Sequence, residues 1–274
     1  MIHDYYLSKA KAYKDTEIAK NKKEILDNVI NDREPKGPKD IHNFYPKPED
    51  LKNLPKNSVL IKISFTLKKP YTSKDEGEFH IINGRIFENP IVRDKFTGLP
   101  MVRPSTWKGH LRFASRMVEW DKGNKEKIIR RLFGNESEEN ALKGRLYFFP
   151  TFFEEKPERD VITPLKRDTR TPVKGKSPIS LEVMKRGAKG EFYLLYVPYP
   201  GGKDFKEEVE EDLRFLAEAL KLMFYTYGFS AKKTSGFGVI EKLKEDNVVI
   251  RPEDKKDIFS ILYTKVNNNV KDGA

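Results

Sequence analysis

The sequence predicts an α+β chain whose elements run strand, helix, strand, strand, helix, strand, the order of a ferredoxin-like sheet. Three observations carry that prediction. Val59, Ile61, Ile63, Phe65 and Leu67 alternate with mostly polar neighbours, the period of a half-buried strand. Trp107, Leu111, Ala114 and Val118 fall on one face of a helix that opens at Pro104-Ser105, with Ser105 as its N-cap. Leu213, Leu216, Leu220, Met223 and Tyr227 mark a longer helix, from about Glu207 to Tyr227.

The remaining elements fit around these. Residues 1–57 form an N-terminal extension. It starts with a lightly amphipathic helical stretch (Ala12, Ile18, Ile25, Val29). Pro35, Pro38, Pro46, Pro48 and Pro55 then make Glu34 to Asn57 a linker or a wrapping segment. The body is residues 58–274, starting at the strand from Ser58. Tyr71 to Gly84 is a polar excursion, and Thr97, Gly98 and Pro100 are turn residues. Ile128, Ile129, Leu132 and Phe133 predict a short helix that Gly134 ends. Leu146 to Phe149 and Glu191 to Pro198 are the middle strands, and Val239 to Leu243 is the last. The Gly- and Pro-punctuated stretch between the middle strands predicts a long functional loop.

Composition narrows the chemistry. The 274 residues contain no cysteine, which excludes disulfides, thiolate zinc sites and thiol nucleophiles. His3, His42, His80 and His110 are scattered without metal-ligand spacing. No apolar run approaches the roughly 18 residues of a membrane span. Asp4 also falls where a signal peptide needs an uncharged core. A soluble, cytoplasmic protein is expected. Lys plus Arg number 53 against 42 Asp plus Glu, a net charge of +11 that suggests a polyanionic partner. A 35% charged fraction also fits a thermophile-like surface. Position separates the two readings. From Arg93 to Arg131 eleven basic residues face four acids, and from Asp160 to Lys189 eight face three. Those windows hold all of the surplus, as a binding surface would.

Three constellations can carry chemistry. The first is Pro104-Ser-Thr-Trp-Lys-Gly-His-Leu-Arg112. A helix N-terminus offers unpaired N–H groups to an anion, Ser105 and Thr106 add hydroxyls, and Lys108, Arg112 and Arg116 recur every four residues. The alternative is an amphipathic helix whose basic face meets water. Gly109 speaks for close approach by another backbone, since an interior Gly costs about 1 kcal/mol relative to Ala. The second is Lys232-Lys233-Thr-Ser235-Gly236-Phe237-Gly238, where paired glycines admit a phosphate and Phe237 can stack a base. A bulge or turn is the plainer reading, and the further glycines and following helix of a nucleotide loop are missing. The third is Asp75, Glu76, Glu78 and Glu88, which can hold a divalent cation or simply be solvated.

In order, these pieces resemble the RAMP superfamily of CRISPR-associated proteins. The run from Glu88-Asn-Pro through Asp94-Lys-Phe-Thr-Gly-Leu-Pro100 to Pro104-Ser-Thr-Trp-Lys-Gly-His-Leu-Arg112 is similar to the signature of the backbone subunit of type III effector complexes. Leu132-Phe-Gly134, Lys166-Arg-Asp-Thr-Arg170 with Glu182, Gly190 and Phe192, and Ser235-Gly-Phe-Gly238 resemble further family stretches. The likeness spans Ser58 to about Leu243.

The resemblance implies an RRM-like, ferredoxin-like palm with a protruding thumb hairpin, in subunits that stack along one guide RNA. It implies that Ser105, Thr106, Lys108 and Arg112 grip guide phosphates, with Arg116 extending their stripe. Lys232, Lys233, Ser235, Gly236, Phe237 and Gly238 would lie on the same RNA backbone, and Arg167 and Arg170 near its path with Asp168. Glu88 stands where the family has its cleaving aspartate, one methylene longer. Pro104 stands where the family has glycine.

The expected function is a guide-RNA-binding structural subunit of a type III CRISPR antiviral complex that grips the RNA backbone without reading its sequence. Expected partners are guide RNA, target RNA, and other RAMP-type and large subunits, with no membrane and no cofactor for binding. One alternative is an endoribonuclease subunit that cleaves target RNA with Glu88 and divalent Mg or Mn. Another is a small phosphate-ligand enzyme that uses the Gly236 loop.

Overall fold

In the computed structural model the described residues are 41–73, 91–94, 97–135, 141–163, 166, 168–169, 171–175, 178–199 and 205–264. The chain enters through 3-10 turns at Ile41–Phe44 and Pro48–Asn53, then forms strand β1 (Val59–Thr66). Strand β2 (Met101–Val102) leads into helix α1 (Pro104–Met117), followed by helix α2 (Lys125–Phe133). Strands β3 (Leu146–Phe148), β4 (Thr151–Phe152), β5 (Glu158–Ile162), β6 (Ile179–Val183) and β7 (Lys189–Tyr196) come next. Helix α3 (Phe205–Leu222) widens into a π turn at Met223–Tyr227. The short β8 (Leu243–Lys244), β9 (Val248–Arg251) and β10 (Tyr263–Thr264) complete the described chain.

The fold is mixed α+β, centred on a four-stranded antiparallel sheet in the order β3-β7-β1-β9. Ile61 of β1 stands between Leu194 of β7 and Ile250 of β9, all three fully buried. Each such side chain stabilises the fold by about 1.5–3 kcal/mol when removed from water. One sheet face carries the main core, against α1, α2 and α3. The other face carries Leu60, Tyr193 and Leu195 under Ile41, Tyr45 and Leu51, so residues 41–53 wrap across the sheet. Tyr45 stacks on Tyr193 with centroids 4.1 Å apart and planes 7° from parallel.

Two sequence expectations need correction. The last sheet strand is Val248–Arg251, not Val239 to Leu243. Ile240 makes only an isolated bridge to Leu67, and Leu243 joins a separate pair with Tyr263. Val248 and Ile250 alternate inward, a β-branched run that burial selects. The stretch between the middle strands is not a plain loop either, since β5 and β6 pair as an antiparallel hairpin from Glu158↔Val183 to Ile162↔Ile179.

A polar cluster clamps α2 and the approach to β3 onto α3. Asp212, fully buried, accepts from Arg131 Nε at 2.9 Å, Arg145 Nη1 at 2.8 Å and the Tyr196 hydroxyl at 2.9 Å. Arg131 also reaches Glu211 at 2.6 Å and Arg145 reaches Glu208 at 2.8 Å.

Candidate nucleic-acid interface

Helix α1 is oriented by its tryptophan. Trp107 is fully buried, 4.8 Å from Phe192 and 4.3 Å from Phe229 between ring centroids. Its indole N–H donates to Thr151 Oγ1 at 3.1 Å, and that hydroxyl donates to the Glu191 carbonyl at 2.7 Å. With this face fixed, helical periodicity leaves Ser105, Lys108 and Arg116 exposed and Thr106 and Arg112 half-buried. Ser105 is not the N-cap. Arg103 holds that position and Pro104 is the first helical residue, where its fixed φ suits the helix and no N–H is needed. Gly109 is exposed, and a Cβ built there meets nothing within 4 Å among the described residues. The expected close approach by another backbone is not met by any described residue of this chain.

The glycine loop folds as a 3-10 turn at Lys233–Ser235, followed by Gly236 at φ +76° and Gly238 at φ +78°. The fold demands Gly238: its N–H donates to the Pro70 carbonyl at 2.8 Å, and a Cβ would sit 2.6 Å from Ser230 N. Gly236 is required by its left-handed backbone, and a Cβ there meets nothing within 4 Å among the described residues. Phe237 is half-buried.

The structure brings the helix and the loop together. Lys233 Nζ lies 4.0 Å from the centroid of the Phe113 ring, and Phe113 packs edge-on against Tyr227 at 5.2 Å. Burial lowers the Lys233 ammonium from its ordinary value. Burial, and then the charge of Lys233, push the His110 imidazole down to about 4. Composition and motif matching did not single out His110, Phe113 or Tyr227. The available signal was that His110 and Phe113 lie one turn apart on α1, beside the basic stripe.

The base of the β5–β6 hairpin meets the same loop through Thr72. The Thr72 hydroxyl donates to the Glu182 carbonyl at 2.8 Å, and the Ser230 hydroxyl donates to the Thr72 carbonyl at 2.9 Å. Glu182 accepts the Ile91 N–H at 3.0 Å and pairs with buried Arg93 at 3.5 Å. Asp94 Oδ2 accepts both the N–H and the hydroxyl of Thr97 at 2.8 Å, so Asp94 and Thr97 build a turn. At the hairpin's far end the Lys166 N–H donates to the Thr171 carbonyl at 2.8 Å, and Asp168 is exposed. Arg167, Arg170, Glu88, Asp75, Glu76 and Glu78 lie outside the described residues.

Counting basic residues overstates the free surface. Arg93 and Arg131 are buried in ion pairs. Lys125 Nζ donates to the Arg116 and Val118 carbonyls at 2.7 and 2.8 Å, closing the end of α1. Among the described residues no group of three or more His, Cys, Asp or Glu could hold a metal ion, and no helix is long and apolar enough to cross a membrane.

The fold and this edge define a class: α+β proteins with a four-stranded antiparallel sheet and a basic rim made by a helix and a glycine loop. A family model described as the RAMP superfamily matches residues 76–241, more than half of the chain. The chain belongs to the RAMP superfamily. It is 28% identical over 192 residues to the CRISPR system Cms endoribonuclease Csm3 of Streptococcus thermophilus, a match covering 65% of this chain and 86% of that protein. It also resembles a chain in the cryo-EM structure of the type III-B Cmr-beta bound to cognate target RNA. That likeness has a TM-score of 0.55 at 17% identity, over 87% of this chain and 77% of the other, and it speaks for the fold.

Proposed function

We propose that this chain is a guide-RNA-binding structural subunit of a type III CRISPR interference complex. In this reading the sheet and its helices are a ferredoxin-like, RRM-like palm, and the β5–β6 hairpin is the base of a thumb. Ser105, Thr106, Lys108, Arg112 and Arg116 follow the RNA phosphates along α1, and Lys232 to Gly238 hold the same backbone. Arg167 and Arg170, outside the described residues, add to the same RNA contact in this reading. Other RAMP-type and large subunits are its partners.

The observation that carries the reading is the contact of Lys233 with Phe113, which brings the glycine loop against the helix that carries the basic stripe. The relatives support it, one named as part of a CRISPR system and the other as bound to target RNA. The test is equilibrium binding of the full chain to single-stranded RNAs of unrelated sequence. Near-equal affinities that fall steeply with salt are expected. Strong competition by mononucleotides would favour a small phosphate-ligand enzyme using the Gly236 loop instead.

A second reading is favoured by the name of the Csm3 relative, an endoribonuclease. Glu88 would then assist target-RNA cleavage, with Mg or Mn as the expected ion. A cleavage assay of assembled complexes comparing wild type, Glu88→Asp and Glu88→Ala separates the two. Loss of brisk cutting in Glu88→Ala establishes the enzyme; absent or slow wild-type cutting, with a gain in Glu88→Asp, fits the scaffold. A misplacement of about 1 Å can cost on the order of 10²-fold in rate.

A further inference from the structure

We infer that His110 of α1 and Lys233 of the glycine loop are the two walls of one phosphate seat, with its floor left open at Gly109 and Gly236. The inference rests on the RNA-binding reading and deepens it, because it assigns to His110 a contact that the basic stripe does not predict.

The geometry comes first. Lys233 has no carboxylate partner among the described residues, and its ammonium is parked on the face of Phe113, 4.0 Å from the centroid. His110 is one helical turn before Phe113 and so lies on the same side of α1. Gly109 sits beside His110, and Gly236 sits three residues after Lys233. A Cβ at either glycine would meet nothing within 4 Å among the described residues, so these positions leave room rather than fill it. The fold explains the conformation of Gly236 but gives no reason for Gly109, which costs α1 about 1 kcal/mol relative to Ala. A phosphodiester approaching between the helix and the loop would use that room.

The electrostatics agree. On its own helix the residues one turn from His110 are Thr106, Trp107, Phe113 and Ala114, none of them charged, while Lys108 and Arg112 lie two positions away and face elsewhere; the loop supplies Lys233. From the π turn Tyr227 faces Phe113. Among the described residues no carboxylate of α2 or α3, which also pack on α1, acts on the imidazole; burial and then Lys233 both disfavour its proton. An anion in the seat reverses the second influence. RNA binding then draws a proton onto His110, and the imidazolium adds a donor to the phosphate.

The experiment measures affinity of the full chain for a single-stranded homopolymer RNA at constant salt from pH 5 to pH 8. Wild type, His110→Gln and Lys233→Met are compared, with His3, His42 and His80 as common background. Wild-type affinity should rise toward low pH more steeply than that of His110→Gln, by up to about tenfold per pH unit at the steepest point. The imidazole of His110, followed by NMR, should titrate higher in the RNA complex than in the free chain. It should also titrate higher in free Lys233→Met than in free wild type. Identical pH slopes in wild type and His110→Gln, with RNA still bound, overturn the seat and leave the RNA reading standing. Absence of RNA binding by wild type at every pH overturns the RNA reading and the seat with it. Because Lys233→Met keeps an apolar chain on Phe113, an unfolded His110→Gln does not spare the inference: unchanged RNA affinity in Lys233→Met also refutes it.

Discussion

Tyr45 lies flat on Tyr193, ring on ring at 4.1 Å, and so covers the outer face of the sheet with the chain's own aromatic group. RNA readers of the RRM type use aromatic side chains on that face to stack bases. In this protein Tyr193 is already stacked, and Leu60, Tyr193 and Leu195 are covered by residues 41–53. Exposed Lys108 and Arg116 stand instead on α1, the helix that the glycine loop meets through Lys233 and Phe113.

Truncation tests this arrangement. Deletion of residues 1–40 should leave the stability of the body nearly unchanged, because Ile41, Tyr45 and Leu51 remain on the sheet. Deletion of residues 1–57 removes all three and should lower the urea midpoint sharply. Tyr45→Ala alone should cost about 3 kcal/mol, the scale of a buried aromatic truncated to Ala. Equal midpoints for the two deletions would mean that the wrapped segment contributes nothing to the sheet.

Much of the fold was legible because burial writes simple periods. The alternation from Val59 to Leu67 gave β1, and the spacing of Trp107, Leu111 and Ala114 gave α1, since each buries one face. Gly134 ends α2 with φ +79°, as its place after Phe133 suggested. The last strand was misplaced because Val239 to Leu243 and Val248 to Arg251 carry the same local signal. Only the tertiary pairing of Ile61 with Ile250 separates them. In the candidate site, Lys108 and the glycine loop were readable from local chemistry. The meeting of Lys233 with Phe113 joins residues 120 positions apart, and no local pattern encodes it. Asp94 and Thr97 show the converse, a motif whose residues serve a turn.

The basic stripe makes a quantitative prediction. Lys108 is exposed and Arg112 half-buried on one side of α1, neither in a salt bridge with a described residue. The pair Lys108→Ala and Arg112→Ala should weaken RNAs of unrelated sequence about equally. It should also flatten the log–log salt slope by roughly one to two counterions, at about 0.7 per phosphate contact on a single strand. Unchanged affinity and slope in a folded double variant would remove α1 from the RNA path.

His110 links stability to pH independently of any ligand. Its folded value is pushed down to about 4 from an ordinary 6.5, by burial and then by Lys233. Between those two values the unfolded chain binds the proton and the folded chain does not, so stability falls as pH drops from about 6.5 toward 4. Urea midpoints at pH 7.5 and pH 5 should therefore differ more in wild type than in His110→Gln. The same pH response in both proteins would show that His110 is solvated and titrates normally.

The buried cluster around Asp212 sets the last prediction. Two guanidiniums and one hydroxyl converge on a carboxylate with no exposure, so removing its charge leaves Arg131 and Arg145 short of their central partner. Asp212→Asn should cost about 3–5 kcal/mol, the scale for breaking a buried ion pair from one side. Glu208→Gln should cost about 1–2 kcal/mol, since its partner Arg145 keeps Asp212 and its side chain is 20% exposed. The carboxyls of the two acids are also shifted in opposite directions. Burial raises the Glu208 carboxyl, but Arg145 outweighs it and holds the group below its ordinary value, so its contribution is lost as pH falls through the folded value. Burial raises the Asp212 carboxyl against the pull of both arginines. Glu208→Gln should therefore soften the loss of stability in acid, measured as the change in urea midpoint between pH 6 and pH 4. A larger cost for Glu208→Gln than for Asp212→Asn would show that Glu208, at the solvent edge, rather than buried Asp212, holds α3 to the approach to β3.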